Sequence, residues 1–160
     1  MIDTAAVQDL VGRWWFTYDA GHFDELAELL TEDAHFSCRT DSGTTDYEEF
    51  VRADLRGRHE VMAWQRRHRL DSPYPLRHNS ANLHLVERGA GEARFASYIF
   101  VTQIDGGVSA LSTAVVRGVV RDEGGTLRIA ALEVTLDTLE SRPMRDAVPD
   151  AASGPERRAG

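Results

Sequence analysis

Residues 76–138 read LRHNSANLHLVERGAGEARFASYIFVTQIDGGVSALSTAVVRGVVRDEGGTLRIAALEVTLDT, and three glycine-bearing interruptions cut this stretch into four runs. The interruptions are Gly89-Ala90-Gly91, Asp105-Gly106-Gly107 and Asp122-Glu123-Gly124-Gly125. Each is hairpin chemistry, because glycine and aspartate accept the left-handed backbone that tight turns between antiparallel strands require. The runs between them, 76–87, 92–104, 108–121 and 126–138, carry the β-branched and aromatic residues of strands, with loose alternation in the first and stronger alternation in the second. Three consecutive hairpins predict a curved antiparallel meander. One face of such a sheet must be covered, and the cover has to come from the chain upstream.

Upstream, Val7, Leu10, Val11, Trp14, Trp15 and Tyr18 recur at helical spacing, so residues 4–20 form an amphipathic helix. Asp3 or Thr4 can cap its start and Gly21 can end it. Phe23, Leu26, Leu29 and Leu30 mark a second short helix, with Asp24 and Glu25 in its first turn. The segment 34–40, AHFSCRT, alternates as a strand, and Asp41-Ser42-Gly43 is a turn. Thr45-Asp46-Tyr47-Glu48 has the pattern of a capping box. It is expected to open a long helix to about residue 69, with Phe50, Leu55, Val61, Met62 and Trp64 apolar. Pro73 and Pro75 stop that helix, since neither can continue it. The expectation is one α+β domain over residues 1–140. Residues 141–160, rich in Pro, Ala, Gly and charge, form a disordered tail.

A chain of 160 residues with 42% hydrophobic and 28% charged residues can bury a core of its own. Its formal net charge of −8 argues against nucleic acid or an anionic membrane as a partner, because both want a basic face. The arginines between Arg52 and Arg69 read as a solvated helix face. Cys38 is the only cysteine, so neither an intrachain disulfide nor a cysteine metal cluster is possible, and the residue reads as a small core group. The N-terminus lacks the basic-then-apolar order of a signal peptide. No stretch approaches the roughly 18 apolar residues of a membrane span. The expected location is the cytoplasm.

Order and motifs together resemble the SnoaL-like branch of the nuclear-transport-factor-2-like superfamily. The matching pieces are Tyr18-Asp19 at a helix end, Phe23-Asp24-Glu25-Leu26, Leu29-Leu30-Thr31-Glu32-Asp33-Ala34, Arg77-His78-Asn79-Ser80-Ala81-Asn82 opening a strand, and the closing strand from Leu127 to Asp137. They span residues 5–138. The resemblance implies a cone-shaped, cystatin-like roll: a curved antiparallel sheet wrapped on N-terminal helices around a small-molecule pocket. It does not choose a reaction, because that superfamily hosts polyketide cyclases, dehydratases, a dehydrochlorinase, steroid isomerases and the non-catalytic small subunit of ring-hydroxylating dioxygenases. In its dehydratases an aspartate at the end of the first helix pairs with a histidine at the start of the first long hairpin strand. Those positions fall here on Asp19 and His78.

An imidazole suits a base near neutral pH because its unperturbed pKa is about 6.5. A carboxylate on its other nitrogen fixes the tautomer and steadies the imidazolium formed by proton capture. His78 is therefore the expected base, Asp19 its orienting partner, and a proton on carbon beside a carbonyl the expected target. Loss of a β-hydroxyl then gives dehydration, and attack of the carbanion on a carbonyl gives cyclisation.

A donor is also needed for the developing oxyanion. Tyr18, His35, Tyr98 and Asn82 are the candidates. Tyr18 is similar to a tyrosine beside the aspartate in scytalone-type dehydratases, though it also completes the helix stripe. Expected pocket residues are His35, Trp64, Asn82, Tyr98 and Glu133. His35 shares parity with Ser37 and Arg39, which leaves cavity and water both open. On an unbroken strand Asn82 shares the face of His78, and a bulge would undo that. Tyr98 lies in an apolar strand, where core is the alternative. Glu133 interrupts the last apolar strand and needs water or a partner.

The six histidines form no ligand pair at metal-binding spacing, and no glycine-rich phosphate loop is present. The expectation is no metal and no cofactor. The expected partners are a small hydrophobic or aromatic substrate and a second copy of the chain in a homodimer. The alternatives are a partner-dependent subunit like the dioxygenase small chain, which Thr31-Glu32-Asp33 and Arg77-His78 also resemble, or a ligand-binding domain without turnover.

Overall fold

The computed structural model describes residues 1–147. Helix α1 (Thr4–Ala20) and the short α2 (Phe23–Glu28) lead into strand β1 (Leu30–Thr40). Next come α3 (Glu48–Val51), β2 (Ala53–Arg56) and α4 (Arg58–Asp71), followed by β3 (Leu76–Arg88), β4 (Glu92–Ile104), β5 (Val108–Glu123), β6 (Thr126–Leu136) and a single turn, α5 (Met144–Ala147). The strands form one six-stranded sheet in the order β2-β1-β6-β5-β4-β3. The sheet is curved and unclosed. The three predicted hairpins make β3 to β6 an antiparallel meander, and β1 joins β6 in parallel.

The inner face of the sheet carries Phe95, Ile99 and Val101 of β4, Val116 and Val120 of β5, and Leu132 and Val134 of β6, all buried. Against them lie the apolar stripe of α1 and the inward side chains of α2 and α4, in one continuous core. Gly118 has a specific reason in this layer. It lies opposite Phe95 across the β4–β5 ladder, and a Cβ there would come within 2.4 Å of the Phe95 ring. The missing side chain is what lets that ring lie flat on the strand.

Helix α1 ends where Gly21 takes a left-handed φ of 72°, its amide donating to the Tyr18 carbonyl at 3.1 Å and the His22 amide to Thr17 at 2.9 Å. The N-cap position belongs to Asp3, whose side chain makes no capping bond.

The long helix expected from Thr45 to residue 69 does not form. Residues 53–56 instead pair antiparallel with β1, Cys38 facing Ala53 and His35 facing Arg56. Gly57, at φ +87°, then turns the chain into α4. Open edge bonds on β1 outweigh helical propensity over those four residues. The capping box is absent as well. The Glu48 carboxylate accepts from the Thr40 hydroxyl and from Arg52 instead, and these contacts hold it below the usual carboxylate range. β1 begins at Leu30, earlier than alternation alone indicates, because the Leu29 carbonyl and Leu30 already pair with Ile129. Of the tail expected over 141–160, residues 144–147 are helical and those from 148 onward lie outside the described residues.

Candidate active site

The last turn of α1 and the first residues of β3 meet at the inner edge of the sheet. Asp19, 5% exposed, uses both carboxylate oxygens on one residue. Its Oδ1 lies 2.6 Å from the His78 ring Nδ1, and its Oδ2 accepts the His78 backbone N–H at 2.7 Å. Because a carboxylate only accepts, Nδ1 carries the proton and the lone pair is left on Nε2. The Trp15 indole stacks on the imidazole at 4.7 Å and 7°, and the Tyr18 ring meets it edge-on at 5.3 Å. Ring plane, tautomer and backbone of His78 are all held from one helix end.

Arg69 secures that helix end. Its Nε and Nη2 donate to the Asp19 carbonyl at 3.2 and 3.0 Å, and its Nη1 to the Pro73 carbonyl at 3.1 Å. α1 has no basic residue in its own last turn, so the buried guanidinium from α4 supplies the positive charge its C-terminus favours. The expectation of a solvated arginine face fails at this residue. The structure corrects it, and the buried stripe of α4 is Val61, Trp64, Gln65 and Arg69.

A second histidine lies beside the dyad. The Tyr18 hydroxyl is 2.6 Å from His68 Nδ1. The His68 ring is sandwiched between Trp64 at 4.4 Å and Phe50 at 4.5 Å. Burial, reinforced by the charge His78 would carry, lowers the His68 pKa to about 4, so the ring is neutral near pH 7. Burial also pushes the Tyr18 phenol well above its ordinary range.

Both histidines border a cavity of about 350 Å³. Its walls are largely apolar, with Trp15, Phe36, Trp64, Ile99, Val101 and Val134 prominent, and Gln65 and Ser112 add polar groups. Such a volume and lining suit a small, flat, mostly apolar molecule. Cys38 also reaches the cavity, but burial raises its thiol to about 12, so it is no thiolate nucleophile at neutral pH. Among the described residues, no group of three or more His, Cys, Asp or Glu is arranged to hold a metal.

The structure brings His78, Tyr18 and Trp64 together at this cavity, with Asp19 bonded behind His78, and places the other expected residues elsewhere. His35 lies on the outer face of β1, its Nε2 2.6 Å from Asp54 of β2. Asn82 sits in a β3 bulge with φ 56° and is exposed, so the face shared with His78 is lost there. Tyr98, 55% exposed, projects from the outer face of β4. Glu133 is exposed on the same face, opposite Arg117 of β5 and Ser37 of β1. Among the cavity-lining residues that sequence reasoning did not assign to the site are Phe50, Gln65 and His68. The signal for the last two was the i, i+3, i+4, i+7 spacing of Val61, Trp64, Gln65 and His68, masked by the intervening arginines.

Sheet, helices and cavity together define a cystatin-like α+β domain with a largely apolar cavity. The chain belongs to the SnoaL-like domain family, whose model matches residues 1–133. No significant match exists among curated protein sequences. A protein of unknown function with a cystatin-like fold from Nostoc punctiforme superposes with a TM-score of 0.69 at 16% identity, over 84% of this chain and 91% of that one. ActVI-ORFA from Streptomyces coelicolor gives 0.67 at 19% identity, over 82% and 95%. The beta subunit of the benzoate 1,2-dioxygenase from Burkholderia mallei gives 0.67 at 18%, over 85% and 91%. At these identities the likeness is one of fold. No helix among the described residues is long and apolar enough to cross a membrane.

Proposed function

We propose that the protein is a cofactor-independent lyase or cyclase, of the dehydratase or polyketide-cyclase type, acting in the cytoplasm on a small aromatic or polyketide-like substrate. The observation that carries this reading is the Asp19–His78 clasp at the wall of a largely apolar cavity. His78 Nε2 takes a proton from a carbon beside a carbonyl, and the electron pair passes into the enolate. Asp19 steadies the imidazolium through Nδ1–H. The enolate then expels a β-hydroxyl, which takes the proton back from His78 Nε2 and leaves as water, or attacks a second carbonyl to close a ring, the new alkoxide taking that same proton. The family's inclusion of cyclases and dehydratases is consistent with either outcome.

The test uses 4-hydroxy-4-phenylbutan-2-one in D₂O, with α-proton exchange followed by NMR and enone formation by absorbance. The wild-type protein accelerates exchange, and His78→Ala lowers the rate about 10²- to 10⁴-fold. Exchange that is equal in the two proteins sinks the base assignment.

The exposed Tyr98 and Phe100 on the outer sheet face favour assembly through that face, and we propose a homodimer. The same face supports a second reading, a non-catalytic subunit that docks on an enzyme. That reading gains if the folded protein accelerates no exchange of this hydroxyketone.

A further inference from the structure

We infer that Gln65 and His68, three residues apart on α4, form a polar strip that binds a carbonyl oxygen of a flat, otherwise apolar ligand. The inference rests on the proposed base role of His78 only in giving that oxygen a mechanistic use. The binding claim stands on α4 itself.

Gln65 is 3% exposed, lines the cavity and makes no side-chain hydrogen bond among the described residues. Its amide is nevertheless absent from the polar atoms sealed off from solvent, so the little surface the residue keeps includes its polar tip. A buried primary amide with no protein partner costs free energy unless something in the cavity completes it.

His68 contributes a donor of defined tautomer. If the Tyr18 hydroxyl donates to Nδ1, the phenol proton and the Nδ1 lone pair are both satisfied, and the single ring proton of the neutral imidazole sits on Nε2. The reverse arrangement turns the phenol proton toward Ser72 and strands the Nε2 lone pair, and the 2.6 Å contact is typical of an O–H donor and shorter than an N–H donor ordinarily makes to oxygen. The first is therefore favoured, and Nε2–H is a buried donor with no acceptor among the described residues. Tyr18, one of the donors expected from the sequence, spends its proton on His68 and acts as a positioning residue. Nε2 is shielded from water, so an acceptor reaches it only as neighbouring rings adjust around a bound molecule. Phe50, 43% exposed on the four-residue α3, has room to do so.

Two donors beside each other on one wall suit an oxygen with two lone pairs, which a carbonyl or an enolate supplies. With His78 bordering the same cavity, a ketone held on α4 would place its α-carbon within the reach of a base. The ligand class is thus a compact aryl ketone and not a hydrocarbon of equal shape.

The experiment compares 1-tetralone with tetralin by calorimetric titration, which cancels the shared ring system. Gln65→Leu and His68→Phe preserve volume and ring stacking, so the core is kept. Each is expected to weaken 1-tetralone about tenfold while changing tetralin by less than twofold. The ¹³C-labelled carbonyl stretch of bound tetralone should lie lower in wild type than in either variant. Equal losses for both compounds mean a structural role and overturn the proposal. So does wild-type protein that binds neither compound. A loss of tetralone confined to His78→Ala puts the oxygen at the dyad, which overturns the proposal while the base reading survives. Conversely, selective losses at Gln65 and His68 with no α-proton exchange support the strip and remove the base.

Discussion

The carboxylate of Asp19 holds His78 at two points, the ring Nδ1 at 2.6 Å and the backbone amide at 2.7 Å. A single side chain thus joins the end of α1 to the start of β3 and sets the imidazole's tautomer. Asp19→Asn separates the two duties. An asparagine oxygen can accept only one of the two donors well, and its NH₂ opposes the other. The α-proton exchange rate should fall at least 10²-fold, with a smaller change in KM. Asp19→Ala leaves the His78 amide without its acceptor and should lower stability by about 1–3 kcal/mol. Chemical denaturation and exchange kinetics on the same samples check both, and an Asn variant with full activity would detach Asp19 from the chemistry.

His68 gives a pH signature. An unfolded histidine takes up its proton near pH 6.5, whereas folded His68 does so only at about 4. Between those values the unfolded chain binds more protons, so stability rises with pH across the window. The contribution is complete above about pH 6.5 and is lost as the pH falls towards 4. Its size is roughly 3 kcal/mol, because each tenfold drop in proton affinity on folding is worth about 1.4 kcal/mol. His68→Phe should flatten this part of the stability profile, and urea unfolding at half-unit pH intervals reads the difference.

The residues that could be read from sequence are those at element ends. Asp19 closes a helix that Gly21 must stop, and His78 opens a strand after Pro73 and Pro75, so both positions were marked by chain punctuation as well as by family motifs. Strand faces were harder. β4 carries aromatic residues on both sides, Phe95 inward and Tyr98 and Phe100 outward, so hydrophobicity does not say which face is the core. The left-handed Asn82 shifts the parity of β3 by a bulge that composition does not announce. β2 is set by a neighbour distant in sequence, the open edge of β1, and local propensity favours a helix there. His68 and Arg69 stand among residues that do face water, and only the tertiary contacts with Tyr18 and Asp19 distinguish them.

Arg69 predicts a long-range effect on the site. Its three donated bonds go to backbone carbonyls, two of them to Asp19 itself. Lysine keeps the charge but cannot span the same carbonyls with a planar fork. Arg69→Lys should cost about 1.5–3 kcal/mol in unfolding. It should also slow exchange, because the end of α1 loosens and the Asp19–His78 distance spreads. The His78 ring resonances in a ¹⁵N NMR spectrum separate this positioning effect from simple destabilisation. They should move in the folded protein well below its unfolding temperature.

The outer face of the sheet makes an opposite prediction, a change in assembly with the site untouched. Tyr98 and Phe100 are 55% and 44% exposed, and they point away from the cavity that Ile99 and Val101 of the same strand line. If that face joins two copies, light scattering should give about twice the 17.8 kDa of one chain. Tyr98→Glu puts a charge where an apolar contact would close, and a carboxylate desolvated without a partner is strongly unfavourable. The variant should run as a monomer. Its unfolding free energy, measured as a monomer, should change by less than about 0.5 kcal/mol, because an exposed position has little packing to lose. Binding of 1-tetralone should be kept, since β4 presents its inner residues to the cavity and its outer ones to the partner. A wild-type protein that scatters as 17.8 kDa at all concentrations would leave Tyr98 and Phe100 as ordinary exposed aromatics.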